Sequence, residues 1–170
     1  AIRGVDTAST CGWVVDLRRN VGGNMWPMLH ALRPILGEAN PFSYRFGKGP
    51  WSQEPVYLLK RPNPAIAVLT SRLTVSSGEL VTVAFRGPST TRTFGEATGG
   101  LSTSNMSLPM VDGAVLVVTV SRAADGTGRV YDGAILPDQP VEIDWVRLGK
   151  DDDPVIKTAS RWLLEQGQCR

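Results

Sequence analysis

The sequence predicts an α/β protein with a mixed sheet. Three observations lead there. Two short apolar runs rich in β-branched residues, 12–17 and 65–69, each end in a turn and pass into a helically patterned stretch, the signature of strand–turn–helix units. A nearly unbroken β-forming segment, 114–121, follows the turn at Asp112-Gly113 and pairs back on 101–108, which adds antiparallel strands. A last amphipathic helix opens at Pro154, with Val155, Ile156, Ala159, Trp162 and Leu163 on its inward side.

Each element has its own justification. Residues 12–17 suit a buried parallel strand, and Gly22-Gly23-Asn24 breaks it. Met25, Met28, Leu29 and Leu32 recur on one side of a helix over 25–36, with Pro27 tolerable in its first turn and Pro34 expected to end or kink it. Residues 39–64, rich in Pro, Gly and aromatics, form an excursion that reads as a hairpin over a cleft, with a short strand at 56–59. A second buried strand, 65–69, precedes a helix over 77–85 whose first turn carries Glu79, where the helix dipole favours a carboxylate. Residues 91–95 form a third strand, and 133–141 an extended segment fixed by Pro137 and Pro140. The first six residues are too short to be an element and read as the tail of something preceding, so an N-terminal region of the protein is expected to be missing from the single domain at 1–170.

At 170 residues the chain can bury a core unaided, and 42% apolar with 20% charged residues is an ordinary globular composition. A net charge of +2 with no long basic run argues against nucleic acid as a partner. No stretch approaches the ~20 apolar residues of a membrane span. The two cysteines, Cys11 and Cys169, lie near opposite ends, and a disulfide between them and two unrelated thiols are both open readings. Neither adjoins a histidine, and no residue cluster implies a metal or a cofactor.

The chemistry sits in the two turns. Open α/β sheets bind ligands beyond the carboxyl ends of their strands, where both Gly22-Gly23 and Ser76-Ser77 lie. Ser76 follows a strand and begins a helix, which exposes its hydroxyl beside free helix-terminal N–H groups. A tetrahedral acyl-transfer intermediate needs two donors near its oxygen. The N–H of Ser77 is one candidate and that of Gly22 or Gly23 the other. The plainer reading makes Ser76 or Ser77 a helix N-cap only.

Four segments then carry a resemblance. Asp16-Leu17-Arg18-Arg19-Asn20-Val21-Gly22-Gly23 resembles the Asp-Leu-Arg-x-Asn-x-Gly-Gly motif of the C-terminal-processing (tail-specific) serine peptidases, a family with the tricorn core, retinoid-binding relatives and nisin-resistance peptidases among its members. Thr74-Val75-Ser76-Ser77-Gly78-Glu79 is similar to the nucleophile motif of the nisin-resistance branch, residues 92–100 to its Arg-x-Phe-Gly-x-x-Thr-x-Gly block, and 133–141 to a later segment ending Pro-Asp-x-Pro-Val. The resemblance implies a ClpP/crotonase-like ββα core with a mixed sheet. It also implies a peptidase acting on a peptide or protein substrate, with Ser76 as nucleophile and an oxyanion hole from Ser77 and Gly22, or Gly23 as the neighbouring option. It makes Asp16 and Arg18 structural, with Arg18 anchoring the turn. Glu79 either orients a catalytic group or serves the helix dipole, and Glu96 is a strand-end hydrogen-bonding residue. An extracytoplasmic or cell-envelope location is the family's suggestion.

One part departs. No lysine occurs from 61 to 149, which removes a Ser–Lys dyad, and the eleven residues before Gly12 hold no histidine. His30, the only histidine, falls two turns down a helix from Gly23 and reads as an ordinary helix residue rather than a base. The expectation is a base histidine upstream of this chain and negligible hydrolysis by the chain alone. Two other classes stand beside it: a non-catalytic binder on the same fold, and a crotonase-type acyl-CoA enzyme, in which the serine motif would have no task. Trp51 in the aromatic excursion reads as a peptide anchor or, more plainly, as surface packing of a long loop.

Overall fold

The computed structural model describes residues 2–37 and 55–170. Most of the aromatic excursion, Trp51 included, lies outside the described residues. A central sheet is built from four parallel strands: β1 (Gly12–Asp16), β2 (Ala65–Thr70), β3 (Thr91–Gly95) and the short β7 (Gln139–Pro140), in the order β1-β2-β3-β7. The α/β class holds. The antiparallel strands β4 (Thr103–Pro109), β5 (Val115–Ala124) and β6 (Val130–Tyr131) form a second sheet of their own.

β2 is buried at every residue, as its unbroken apolar run requires. Its side chains alternate between two cores. Ile66 and Val68 join Val15, Leu29, Val81 and Phe85 beneath α2 (Met25–Leu36) and α3 (Ser77–Ala84). Ala65, Ala67 and Leu69 join Phe94, Val155, Ala159 and Leu163 beneath α4 (Pro154–Glu165) on the other side. The small side chains of β2 let α4 pack close on the sheet.

Three local expectations change and one open question closes. α2 runs two residues past Pro34 before ending at Gly37, whose N–H donates to the Arg33 carbonyl at 2.9 Å. So close to a helix end, the ring deletes a single backbone bond without stopping the helix. Residues 56–59 form no strand. Side-chain anchoring replaces the ladder there: the buried Asp6 carboxylate accepts the Tyr57 hydroxyl and the Lys60 N–H, both at 2.9 Å. The first residues do form an element, the single turn α1 (Ile2–Val5), held ahead of Asp6. The open question about the cysteines is also answered: Cys11 and Cys169 are joined in a disulfide that ties the start of β1 to a short 3-10 helix after α4.

Candidate active site

The turn after β1 is locked by ion pairs. Arg18 is fully buried; its guanidinium meets Asp16 at 2.6 Å and Asp153 at 2.8 Å. Asp153 is also the N-cap of α4, accepting from Val155 and Ile156, and it takes the Gly149 N–H at 2.8 Å. Burial works against the Arg18 charge, but its bonds to Asp16 and then Asp153 outweigh that and hold its pKa above the ordinary value. Burial likewise presses the Asp153 carboxyl upward, yet the Gly149 N–H, Arg18 and the Ile156 N–H keep it below the usual carboxylate value. Arg18 anchors the turn through these bonds, and with Asp16 it holds residues 19–23 against α4.

The loop before Ser76 is clamped onto that turn. Ser71 Oγ donates to the Arg18 carbonyl at 2.6 Å, Thr74 Oγ1 to the Leu17 carbonyl at 2.8 Å, and the Val75 N–H to the Asn20 carbonyl at 3.0 Å. Gly78 completes the fit, because a Cβ there would lie 2.6 Å from the Asn20 oxygen. The two turns are therefore one packed unit. Across it, the Ser77 hydroxyl donates to the Gly23 carbonyl at 2.5 Å.

Ser76 occupies the N-cap position of α3, but its backbone is not that of an ordinary cap. It sits at φ 54°, ψ −122°, where caps are usually extended. Such a conformation in a non-glycine residue costs about 1–3 kcal/mol and persists only where the surroundings impose it. Half-buried Ser76 leans against Gly22: a Cβ on Gly22 would come within 2.9 Å of Ser76 Cβ and 3.3 Å of its Oγ.

The three candidate oxyanion donors differ. The Gly22 N–H donates to Asn20 Oδ1 at 3.0 Å. Among the described residues, no acceptor is bonded to the N–H of Ser77 or of Gly23. An open cleft of about 600 Å³ lies alongside, lined by Asn20, Gly22, Met28 and Leu148 among others.

Glu79 is fully buried and does more than meet the helix dipole. Its Oε2 accepts the Ser76 N–H at 3.0 Å; its Oε1 accepts the Thr98 hydroxyl at 2.6 Å and the Gly100 N–H at 2.9 Å. It thus binds the backbone of Ser76 to the loop after β3. The Glu96 backbone is held there by Thr70, whose hydroxyl donates to the Glu96 carbonyl at 2.8 Å and whose carbonyl accepts the Glu96 N–H at 3.1 Å. His30 lies within α2. Sequence reasoning passed over two contributors. Asn20, two residues before Gly22, has the spacing at which an Asx side chain takes a backbone N–H, so its role was accessible. Thr98 is a fixed position of the block matched at 92–100, but the match assigned it no role. Its hydroxyl also accepts the Ile135 N–H at 2.8 Å, a contact between distant segments.

Against known proteins, the profile of peptidase family S41 matches residues 1–141. The chain belongs to this family. A nisin-resistance protein from Lactococcus lactis subsp. lactis is 28% identical over 158 residues, covering 80% of this chain and 50% of that protein. A lipoprotein from Streptococcus agalactiae has the same fold at a TM-score of 0.71 and 28% identity, over 90% of this chain and 54% of its own. The photosystem II D1 C-terminal processing protease shares the fold at a TM-score of 0.58 and 22% identity, over 78% of this chain and 35% of its own. This S41 chain thus spans about half the length of the first two relatives. Among its described residues no helix is long and apolar enough to cross a membrane, and no group of three or more His, Cys, Asp or Glu is placed to hold a metal ion.

Proposed function

We propose that this S41 domain supplies the nucleophile and the oxyanion hole of a serine peptidase. The observation that carries the reading is the strained backbone of Ser76 at a strand-to-helix turn, followed by a Ser77 N–H that no described acceptor takes. Ser76 Oγ attacks the scissile carbonyl carbon while its proton passes to a base. The oxyanion accepts from Ser77 N–H and from a second N–H on the glycine turn. Gly23 is the better second donor, since the Gly22 N–H is already given to Asn20. The tetrahedral intermediate collapses to an acyl-Ser76, the amine leaves with the proton from the base, and water then releases the acid by the same route.

The base is a histidine from polypeptide upstream of residues 1–170, and the substrate is a peptide or protein. Without that base the chain retains only residual activity, because nucleophile and base act as a unit. The names of the lipoprotein and nisin-resistance relatives, with the Cys11–Cys169 disulfide, support an extracytoplasmic, cell-envelope location. One other reading is a binding domain on the same fold that holds peptides without cutting them.

Peptide hydrolysis by the full-length gene product, measured for wild type and Ser76→Ala, tests the assignment. Loss of turnover with peptide affinity retained is expected. Unchanged turnover removes Ser76 as the nucleophile, and a wild type that binds peptides without cleaving them establishes the binding reading.

A further inference from the structure

The peptidase reading uses the N–H of Ser77 and leaves its hydroxyl without a task. The side chain is buried, 7% exposed, in the first turn of α3. Serine hydroxyls near helix starts commonly bond within a few residues of themselves. This one donates to the Gly23 carbonyl, 54 positions back along the chain, at 2.5 Å. Among the described residues, no other donor meets that carbonyl.

The two glycines of the turn are held in different ways. Gly22 is held by packing and by a side chain. The place its Cβ would take lies 2.9 Å from Ser76 Cβ and 3.2 Å from the Val75 carbonyl oxygen, and its N–H is given to Asn20. Gly23 has neither restraint. The atom nearest its Cβ position is Met28 Cε at 4.0 Å. Its φ of 112° is one that glycine enters and leaves at no steric cost. Such a residue, between Gly22 and the N-cap Asn24 of α2, keeps one place only where something grips it. The grip is the Ser77 hydroxyl. It follows that the two N–H groups offered to an oxyanion, those of Ser77 and Gly23, belong to the two residues this bond joins. Oxyanion stabilisation depends on donors fixed before the reaction.

We propose that Ser77 is a positioning residue as well as a donor: its hydroxyl fixes the Gly23 turn against α3, and so holds Gly23 N–H and Ser77 N–H as a pair for one oxyanion. The hydroxyl acts through Gly23 and does not itself meet the substrate. The inference rests on the reading of Ser76 as nucleophile. A bond that merely fastened α2 to α3 would support the fold and leave catalysis alone.

Ser77→Ala in the full-length gene product tests it, with wild type and Ser76→Ala beside it. The variant keeps the backbone N–H and loses the hydroxyl. Backbone order at Gly23 is read by nuclear magnetic resonance of isotope-labelled glycine, the signal being assigned by its loss in Gly23→Ala. Steady-state kinetics give kcat and KM. A peptide boronic acid reports on the hole: its boron takes a bond from Ser76 Oγ, whose proton passes to the base, and a boron-bound oxygen stands in for the oxyanion. The Gly23 order parameter is expected to fall from about 0.85 to below about 0.6. Deleting an oxyanion donor costs about a hundredfold to a thousandfold in kcat, and loosening one costs part of that, so kcat should fall about tenfold or more. KM should stay within about twofold, and boronate affinity should fall by about the factor seen in kcat. Unchanged order at Gly23 overturns the proposal. So does a mobile Gly23 with kcat and boronate affinity intact. A wild type that does not cleave, or Ser76→Ala with wild-type turnover, removes the nucleophile and this inference with it, and is seen without Ser77→Ala. Thermal melts show whether Ser77→Ala folds; if it does not, Ser77→Cys, similar in shape but a weak donor, carries the same expectations.

Discussion

Glu79 accepts the backbone N–H of Ser76 at 3.0 Å from three residues along α3, and with its other oxygen it takes two donors from the loop after β3. One buried carboxylate thereby holds the strained elbow against a second segment. Glu79→Gln keeps the volume but turns an N–H₂ group toward one of these donors. A buried donor left without an acceptor costs about 1–3 kcal/mol. The expected result is a lowered melting temperature; on the role proposed for Ser76, kcat in the full-length protein falls with little change in KM, since Glu79 holds the Ser76 backbone and does not line the cleft. Steady-state kinetics beside thermal melts check both parts; a melting loss with kcat intact would leave Glu79 a purely structural residue.

Gly22 and Gly23 give a second, paired prediction. Both have positive φ, at 97° and 112°, so an added Cβ carries a similar backbone penalty at each. Their surroundings differ. At Gly22 the Cβ meets Ser76 Cβ at 2.9 Å, whereas at Gly23 the nearest atom is Met28 Cε at 4.0 Å. Gly22→Ala is therefore expected to displace Ser76 and to be the more destabilising of the two. Gly23→Ala should fold with a smaller loss and retain its N–H. Circular-dichroism melts of the two variants compare them directly; equal losses would show that backbone strain alone governs both.

Much of this arrangement was legible in the sequence. β1 and β2 announce themselves through apolar runs and α2, α3 and α4 through 3.6-residue spacing, and the Asp112-Gly113 turn fixes the hairpin. β6, β7 and α1 are too short to carry a period; beside β7 the Val141 N–H donates to the Gly95 carbonyl at 2.9 Å, a pairing between distant segments. At the site, glycines and serines could be placed beyond the strand ends from order alone. What order could not supply was commitment: whether the Gly22 N–H is free depends on the Asn20 side chain, and what Glu79 holds depends on Thr98 and Gly100 arriving from the far side of β3. The disulfide spans 158 positions, and only the packing of α4 against β1 brings its ends together.

That disulfide leads to a third prediction. It closes nearly the whole chain into a loop, and removing a cross-link of this kind typically costs about 2–4 kcal/mol, largely by releasing the unfolded chain. Cys169→Ser, or incubation of wild type with a reductant under conditions that open the bond, should lower the denaturant midpoint by a corresponding amount. The bond joins Cys11, just before β1, to the 3-10 helix after α4 and lies outside the strands themselves, so near-ultraviolet circular dichroism of the folded form should stay close to that of the oxidised protein. A midpoint unmoved by complete reduction, verified by thiol titration, would remove the bond from the stability of the fold.

The Arg18–Asp153 pair sets the acid limit of the domain. Asp153 is held below its ordinary value of 3.8, so ionised Asp153 contributes stability that is fully present above that pH and lost as pH falls through the lower folded value. Asp125 and Asp138 are shifted the same way, which steepens the loss. Melting temperature should therefore be flat from neutral pH to about pH 4 and fall sharply below it. Asp153→Ala removes both the N-cap of α4 and the deeper partner of a buried guanidinium, leaving Arg18 with half-exposed Asp16 alone. Breaking a buried pair in this way costs about 3–5 kcal/mol at neutral pH, and the variant should show a shallower acid limb because one of the three depressed carboxyls is gone. Adding Arg18→Leu should recover part of the loss, since the unpaired charge then disappears with its partner. Melting curves of the single and double variants from pH 7 downward decide the matter: strictly additive losses would mean that Arg18 and Asp153 act independently, and that the turn beneath Gly22 is held by its backbone bonds instead.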